Sequence, residues 1–135
     1  SSLANRPIAQ YRMGECEAKL RAARAFLMES MQFVHDELEA GLPTPSREGT
    51  IKGRLACTYA ANASMEVVDV IHNTAGTSGM RMYSPLERKL RDAHGCATHR
   101  WVSHPLYQDI GKTFLGVEPD PEFAGEGDPR VPRPA

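Results

Sequence analysis

The sequence predicts an all-α fold, an antiparallel up-and-down helical bundle. Apolar residues return at steps of three and four along two long stretches, the period of a helix with one buried face. Those stretches end in Gly/Pro clusters or begin with capping residues. No segment shows the alternation of a strand, and no self-similarity appears on the roughly 20–50-residue scale of repeat folds.

The first helix is expected from about Pro7 to Glu39. Cys16, Leu20, Ala23, Leu27, Met31, Val34 and Leu38 share one side and should face the core, while Lys19, Arg21, Arg24, Asp36 and Glu37 lie opposite. "GLPTP" at 41–45 stops it. A second helix follows from Thr44 or Ser46 to about Asn73. Between Leu55 and Ile71 it carries only two charges, Glu66 and Asp69, as a helix packed on several sides requires. Its small residues permit close helix approach, and Asn62, Glu66, Asp69 and Asn73 form one narrow polar line.

A glycine-bearing loop comes next. Ser84 as N-cap, Pro85 at the first helical position and Glu87 three after the cap read as a capping box. The third helix is expected to run from there to about His104, where Pro105 interrupts it. "LYQDIGKTFLG" reads as a short fourth helix ending near Gly116. Residues 1–118 therefore make one domain, and 119–135, rich in Pro, Gly and charge, an extended or disordered tail.

Composition narrows the function classes. Lys and Arg number 16 against 17 Asp and Glu, with no long basic run, so neither nucleic acid nor an anionic membrane is implied. No apolar run approaches the roughly 20 residues that span a bilayer, and no signal peptide opens the chain. Three scattered cysteines without a CxxC pair suit a reducing cytoplasm. The missing initiator methionine suggests a processed or engineered chain, or a piece of something longer.

Projected at about 100° per residue, the third helix divides into two stripes. Leu86, Leu90, Ala93 and Ala97 should seat it on the core. Arg88, Asp92, Gly95, His99 and Ser103 gather opposite, with Gly95 a bare backbone patch at the centre. A glycine there costs about 1 kcal/mol relative to alanine. A flat ligand lying over Gly95 would explain it, between Arg88 and Asp92 at one end and His99 at the other. So would close approach of a neighbouring helix, and a solvated helix face has the same period. His94 lies on a flank with Thr98 and Trp101, where packing or hydrogen bonding suits it better than catalysis.

Other chemistries fit poorly. Asp69 and His72 make half of a di-metal carboxylate-x-x-His pattern with no partner elsewhere. His94 and His99 do not share a face, so no metal site is expected. There is no GxSxG elbow, and Gly76–Gly79 lacks the GK[ST] of a P-loop.

The run "MEVVDVIHNTAGTSGMRMYSPLERKLRDAHGCATHR", followed by "YQDIGKTFLG", resembles the C-terminal helical domain of the acyl-CoA dehydrogenase superfamily. The resemblance rests on Ala75-Gly76 ending a helix, Arg88 to Asp92 as the R-x-x-R-D segment, Gly111 to Gly116 as the late G-[RK]-x-x-L-G, and the opening "GECEAKLRAARAFL". It covers about residues 5–118. It implies a longer flavoenzyme, whose other domains hold much of the flavin, so the isolated chain should bind flavin weakly and be inactive.

Two branches of the superfamily differ at one place. Dehydrogenases commonly carry a catalytic glutamate in a Tyr-Glu-Gly-Thr motif shortly after the R-D pair. Here that pair of positions holds His99-Arg100, and a guanidinium that stays protonated cannot abstract an α-proton. The chain looks closer to the two-component flavin-dependent monooxygenases. That branch implies hydroxylation of an aromatic, phenol-like substrate by O2 and reduced flavin, FMN or FAD, supplied by a separate flavin reductase. It makes His99 the catalytic candidate, either deprotonating a phenol or hydrogen-bonding the oxygen activated at the flavin. Arg88, Gly76, Thr77 and Ser78 become flavin contacts, and Gly95 gives clearance. Self-association into dimers or tetramers through the helices is also implied. The alternatives are an acyl-CoA dehydrogenase or oxidase with its base elsewhere, and a free-standing helical interaction module.

Overall fold

The computed structural model describes residues 2–76, 84–121 and 123, and among them every regular element is a helix. A single 3-10 turn at Leu3–Asn5 leads into α1 (Pro7–Glu39), α2 (Arg47–Ala75), α3 (Pro85–Ala97) and α4 (Leu106–Phe114). None of these helices is long and apolar enough to cross a membrane.

α1 and α2 form a long antiparallel hairpin. α1 ends in a Schellman motif, with Gly41 at φ 102° and the N–H groups of Gly41 and Leu42 donating to the Leu38 and Glu37 carbonyls. Glu37 then reaches across the turn to cap α2. Its carboxylate accepts the Ser46 N–H at 3.0 Å and the Ser46 hydroxyl, and Ser46 Oγ accepts the Gly49 N–H at 3.0 Å. Further along, Lys19 pairs with Glu66 at 2.6 Å and Arg12 donates to Thr74 Oγ1 at 3.1 Å. These links confirm the antiparallel register.

The seam between the two helices is made of small residues. On α1 the buried positions are Ala9, Cys16, Ala23 and Ser30, one every seven residues. On α2 the matching set is Gly49, Ala56 and Ala63, with Val67 beside it. Small side chains at one phase of a heptad let the helix axes draw close. The expected α1 core is thereby corrected. Cys16 and Ala23 are buried, but Leu20, Met31 and Leu38 stay exposed on a flank. The reason is that α3 and α4 pack on α2 rather than on α1, so that flank has no partner among the described residues.

α2 is thus the central helix, and its polar line becomes a set of cross-links. Asn62 reaches the turn after α3, Glu66 reaches α1, and Asp69 meets His94 of α3 at 2.6 Å. His94 is the hydrogen-bonding residue its flank position suggested. A compact apolar cluster lies on the opposite end, where Leu106, Ile110 and Phe123 pack with Ile51 and Leu55.

α3 begins as expected, with Ser84 as N-cap and Pro85 following. The Ser84 hydroxyl, however, accepts the Leu86 N–H at 3.3 Å, and Glu87 pairs with Arg91 at 3.1 Å. The helix also stops at Ala97, short of the expected His104. Gly95 weakens the last turn, the Thr98 hydroxyl bonds the Gly95 carbonyl at 2.9 Å, and Pro105 disfavours helical backbone at His104. Residues 98–105 instead form consecutive turns, marked by Val102 N–H to His99 O at 2.9 Å and Leu106 N–H to Ser103 O at 3.0 Å. α4 ends at a second Schellman motif, with Gly116 at φ 71° and Val117 N–H on the Lys112 carbonyl.

The start of the supposed tail is fastened. Lys112 Nζ bridges Asp109 at 3.0 Å and Asp120 at 2.9 Å, Asp109 also accepts the Asp120 N–H, and Phe123 is 4% exposed. Residues 124–135 lie outside the described set.

Candidate functional site

α3 presents the two stripes the sequence predicts. Ala97 is buried and Leu86, Leu90 and Ala93 are half-buried, while Arg88, Asp92 and Gly95 are exposed. Arg88 and Asp92 form a loose i,i+4 pair at 3.8 Å, both well solvated. At Gly95 a Cβ would find nothing within 4 Å among the described residues, so none of the described helices approaches it closely. The patch is open.

His99 and Ser103 leave the stripe, because α3 ends before them. His99 sits in the turn just past the helix, exposed, at the C-terminal edge of the Gly95 patch. Its backbone N–H bonds the Cys96 carbonyl at 3.2 Å and its carbonyl accepts the Val102 N–H at 2.9 Å. Its ring Nδ1 accepts the Trp101 N–H at 3.4 Å. With Nδ1 as acceptor, a neutral imidazole carries its proton on Nε2. Gly76 caps α2 with φ 64° and is exposed. Thr77 and Ser78 lie outside the described residues; Arg88 and Gly95 share the exposed side of α3, and His99 lies in the turn beyond its end.

One residue that matters to this turn, Arg54, has no sign in the sequence pattern, and a second, Asn62, has a partner the pattern does not show. Arg54 of α2 stacks its guanidinium 4.6 Å from the Trp101 ring and 4.7 Å from the Phe123 ring. Burial pulls its pKa down, only partly opposed by the Asp109 charge. A half-buried arginine in contact with two rings leaves no periodic signal, since its partners lie 47 and 69 residues away. Asn62 was visible as part of a polar line, but its partner was not. The Asp109 carboxyl shows opposing effects: burial disfavours its charge, yet hydrogen bonds from Lys112 and the Asp120 N–H, with the Lys112 and Arg54 charges, hold it below the usual range.

A flavin is the group whose fit must be tested here. Gly95 leaves open backbone on α3, with Asp92 one turn before it, Arg88 paired to Asp92 at 3.8 Å, and His99 one turn after it, an arrangement with room for one face of a flat ring. The described cavities of the chain are lined by other residues. One of about 400 Å³ lies between the start of α1 and the end of α2, lined by Met13, Ile71 and Leu86 among others. Another of about 290 Å³ lies by Trp101, Asp109 and Phe123. No group of three or more metal-ligating side chains occurs among the described residues.

Comparison with known proteins gives one family and a consistent set of relatives. The family model for acyl-CoA dehydrogenase, C-terminal domain, matches residues 1–104. The chain is 36% identical over 122 residues to an indole-3-acetate monooxygenase of Pseudomonas putida, covering 90% of this chain and 31% of that protein. An indole-3-acetate monooxygenase of Acinetobacter baumannii is 29% identical over 127 residues, 91% of this chain and 31% of that protein. A pigment production hydroxylase of Rhodococcus erythropolis is 28% identical over 114 residues, 84% of this chain and 29% of that protein. The chain therefore spans about a third of the length of these relatives. Helical architecture, motif order and matched span agree: the chain belongs to the acyl-CoA dehydrogenase superfamily as a C-terminal helical domain, on the branch that holds these monooxygenases.

Proposed function

We propose that the chain is the C-terminal domain of a longer flavin-dependent monooxygenase that hydroxylates an aromatic substrate. The observation that carries this reading is His99, exposed at the edge of the open Gly95 patch, where a dehydrogenase would commonly hold a Tyr-Glu pair. The likeness to proteins named for monooxygenation supports it, and the indole-3-acetate in two of those names supports an aromatic ring as substrate.

Reduced flavin, FMN or FAD, delivered by a flavin reductase, supplies the electrons that activate O2. The chain's own residues bind and orient. The Gly95 backbone gives a flat surface, Arg88 offers a cation to the flavin's polar edge, and Gly76, Thr77 and Ser78 are the further flavin contacts of this proposal. His99 presents Nε2–H as a donor. A base acting at Nε2 would need the other tautomer, which sets two N–H groups against each other at Nδ1 and Trp101. Donation toward the reacting oxygen thus suits this geometry better than proton abstraction from a phenol, and an indole ring requires no such base.

In the full-length protein with reductase, His99→Ala is expected to lower hydroxylation by about a hundredfold or more, the usual contribution of a positioned acid–base group. Product formation unchanged in rate and pH profile would remove His99 from the mechanism. A second reading, an acyl-CoA dehydrogenase or oxidase with its base elsewhere, is favoured by the family match itself. Dye reduction with acyl-CoA in place of oxygen-dependent hydroxylation would establish it. The same proposal places the enzyme in the reducing cytoplasm, as three free thiols suit, and makes it a homo-oligomer through its helices.

A further inference from the structure

Asn62 is a polar residue in the middle of α2 with 4% exposure, where a leucine would pack without the cost of desolvating an amide. Its Nδ2 donates one hydrogen to the Thr58 carbonyl of its own helix at 2.8 Å and the other to the Val102 carbonyl at 3.0 Å. Val102 in turn donates its N–H to the His99 carbonyl. Two hydrogen bonds thus lead from the central helix to the His99 backbone.

A second link reaches the His99 ring. Arg54, about two turns before Asn62 on α2, holds the Trp101 indole against its guanidinium, and the backbone N–H of that same Trp101 donates to His99 Nδ1. Arg54 Nη1 is buried with no hydrogen-bond partner among the described residues. The cost of that burial is offset by ring stacking on both faces, at Trp101 and Phe123. Helix α3 has already ended at this point, so nothing in the helical ladder fixes the ring.

We propose that Asn62 and Arg54 are positioning residues for His99, Asn62 holding its backbone through Val102 and Arg54 holding its ring through Trp101. The inference rests on the reading of His99 given above for its functional meaning, but its geometry is tested separately. Together the two residues select the Nε2–H tautomer and keep the turn from fraying.

The test uses the 135-residue chain and three readouts. Long-range nitrogen–proton NMR reports the tautomer of each histidine ring, amide exchange reports the Val102 N–H, and fluorescence reports Trp101, the single tryptophan. In the wild type, His99 should be predominantly Nε2–H. Asn62→Leu is expected to speed Val102 exchange about tenfold, the worth of one hydrogen bond. It should also move His99 toward a mixture of tautomers while leaving His35, remote on α1, unchanged. Arg54→Met is expected to red-shift Trp101 emission, raise its acrylamide quenching about twofold and shift the His99 ring in the same direction. If Asn62→Leu does not fold, Arg54→Met carries the test alone. A folded variant with His99 tautomer and turn exchange as in wild type overturns the proposal. His99→Ala activity in the full-length enzyme decides the functional reading independently.

Discussion

Two helical glycines carry opposite expectations, although both sit where alanine has the higher helix propensity. Gly95 has open space around it, so Gly95→Ala should stabilise the chain by about 0.5–1 kcal/mol in urea unfolding. The same methyl would stand on the patch assigned to the flavin, so flavin affinity in the full-length protein should fall. Stabilisation with unchanged affinity would return the stripe to a plain solvated face. At Gly49 a Cβ would collide with the Glu37 carboxylate, which is held by the Ser46 N–H and hydroxyl. Gly49→Ala should therefore destabilise, by about 1–2 kcal/mol, the worth of the cap it displaces. Glu37→Ala should cost a similar amount, and the double variant less than the sum of the two. Full additivity would show that the clash is relieved elsewhere.

At the scale of elements, the sequence made α1 legible to its observed limits and α2 to within a few residues, because periodicity and caps act locally. The end of α3 was not legible. Its polar stripe continues in register to Ser103, while the stop depends on weak effects at Gly95, Thr98 and Pro105 that reinforce one another. Arg88, Gly95 and His99 could be named from the sequence, but the turn that carries His99 could not, since its tie to Asn62 comes from a helix 40 residues earlier. The latch at Asp120, built on Asp109 and Lys112 of α4, leaves no sign in the composition. That latch has a definite pH dependence. Asp109 is held below the ordinary carboxylate range, so its contribution is complete above an unfolded pKa of about 3.9 and is lost as pH falls through the lower folded value. Exchange of the Asp120 N–H should accordingly accelerate under strong acid, while Lys112→Met should move that acceleration to higher pH. Insensitivity to Lys112→Met would mean that the ion pair does not hold the segment.

Among the described residues the expected helical bundle is built as an α1–α2 hairpin with α3 and α4 packed on α2, and this asymmetry has a consequence for assembly. The small-residue seam brings α1 and α2 together without using α1's larger side chains. Met13, Leu20, Met31 and Leu38, at steps of 7, 11 and 7, share one side of α1 and are 52%, 39%, 37% and 44% exposed. α3 and α4 occupy α2, so nothing among the described residues covers this stripe. Monomeric proteins seldom leave a contiguous apolar strip of this length in water. The self-association proposed for the enzyme has its natural surface here. Leu20→Glu with Met31→Glu should weaken that association by about tenfold or more, read as mass against concentration by light scattering. Helix content should be unchanged, because both side chains already lie outside the seam that holds the hairpin. Loss of helicity would instead place the stripe in the fold of the single chain, and unaltered mass would move the interface to another face.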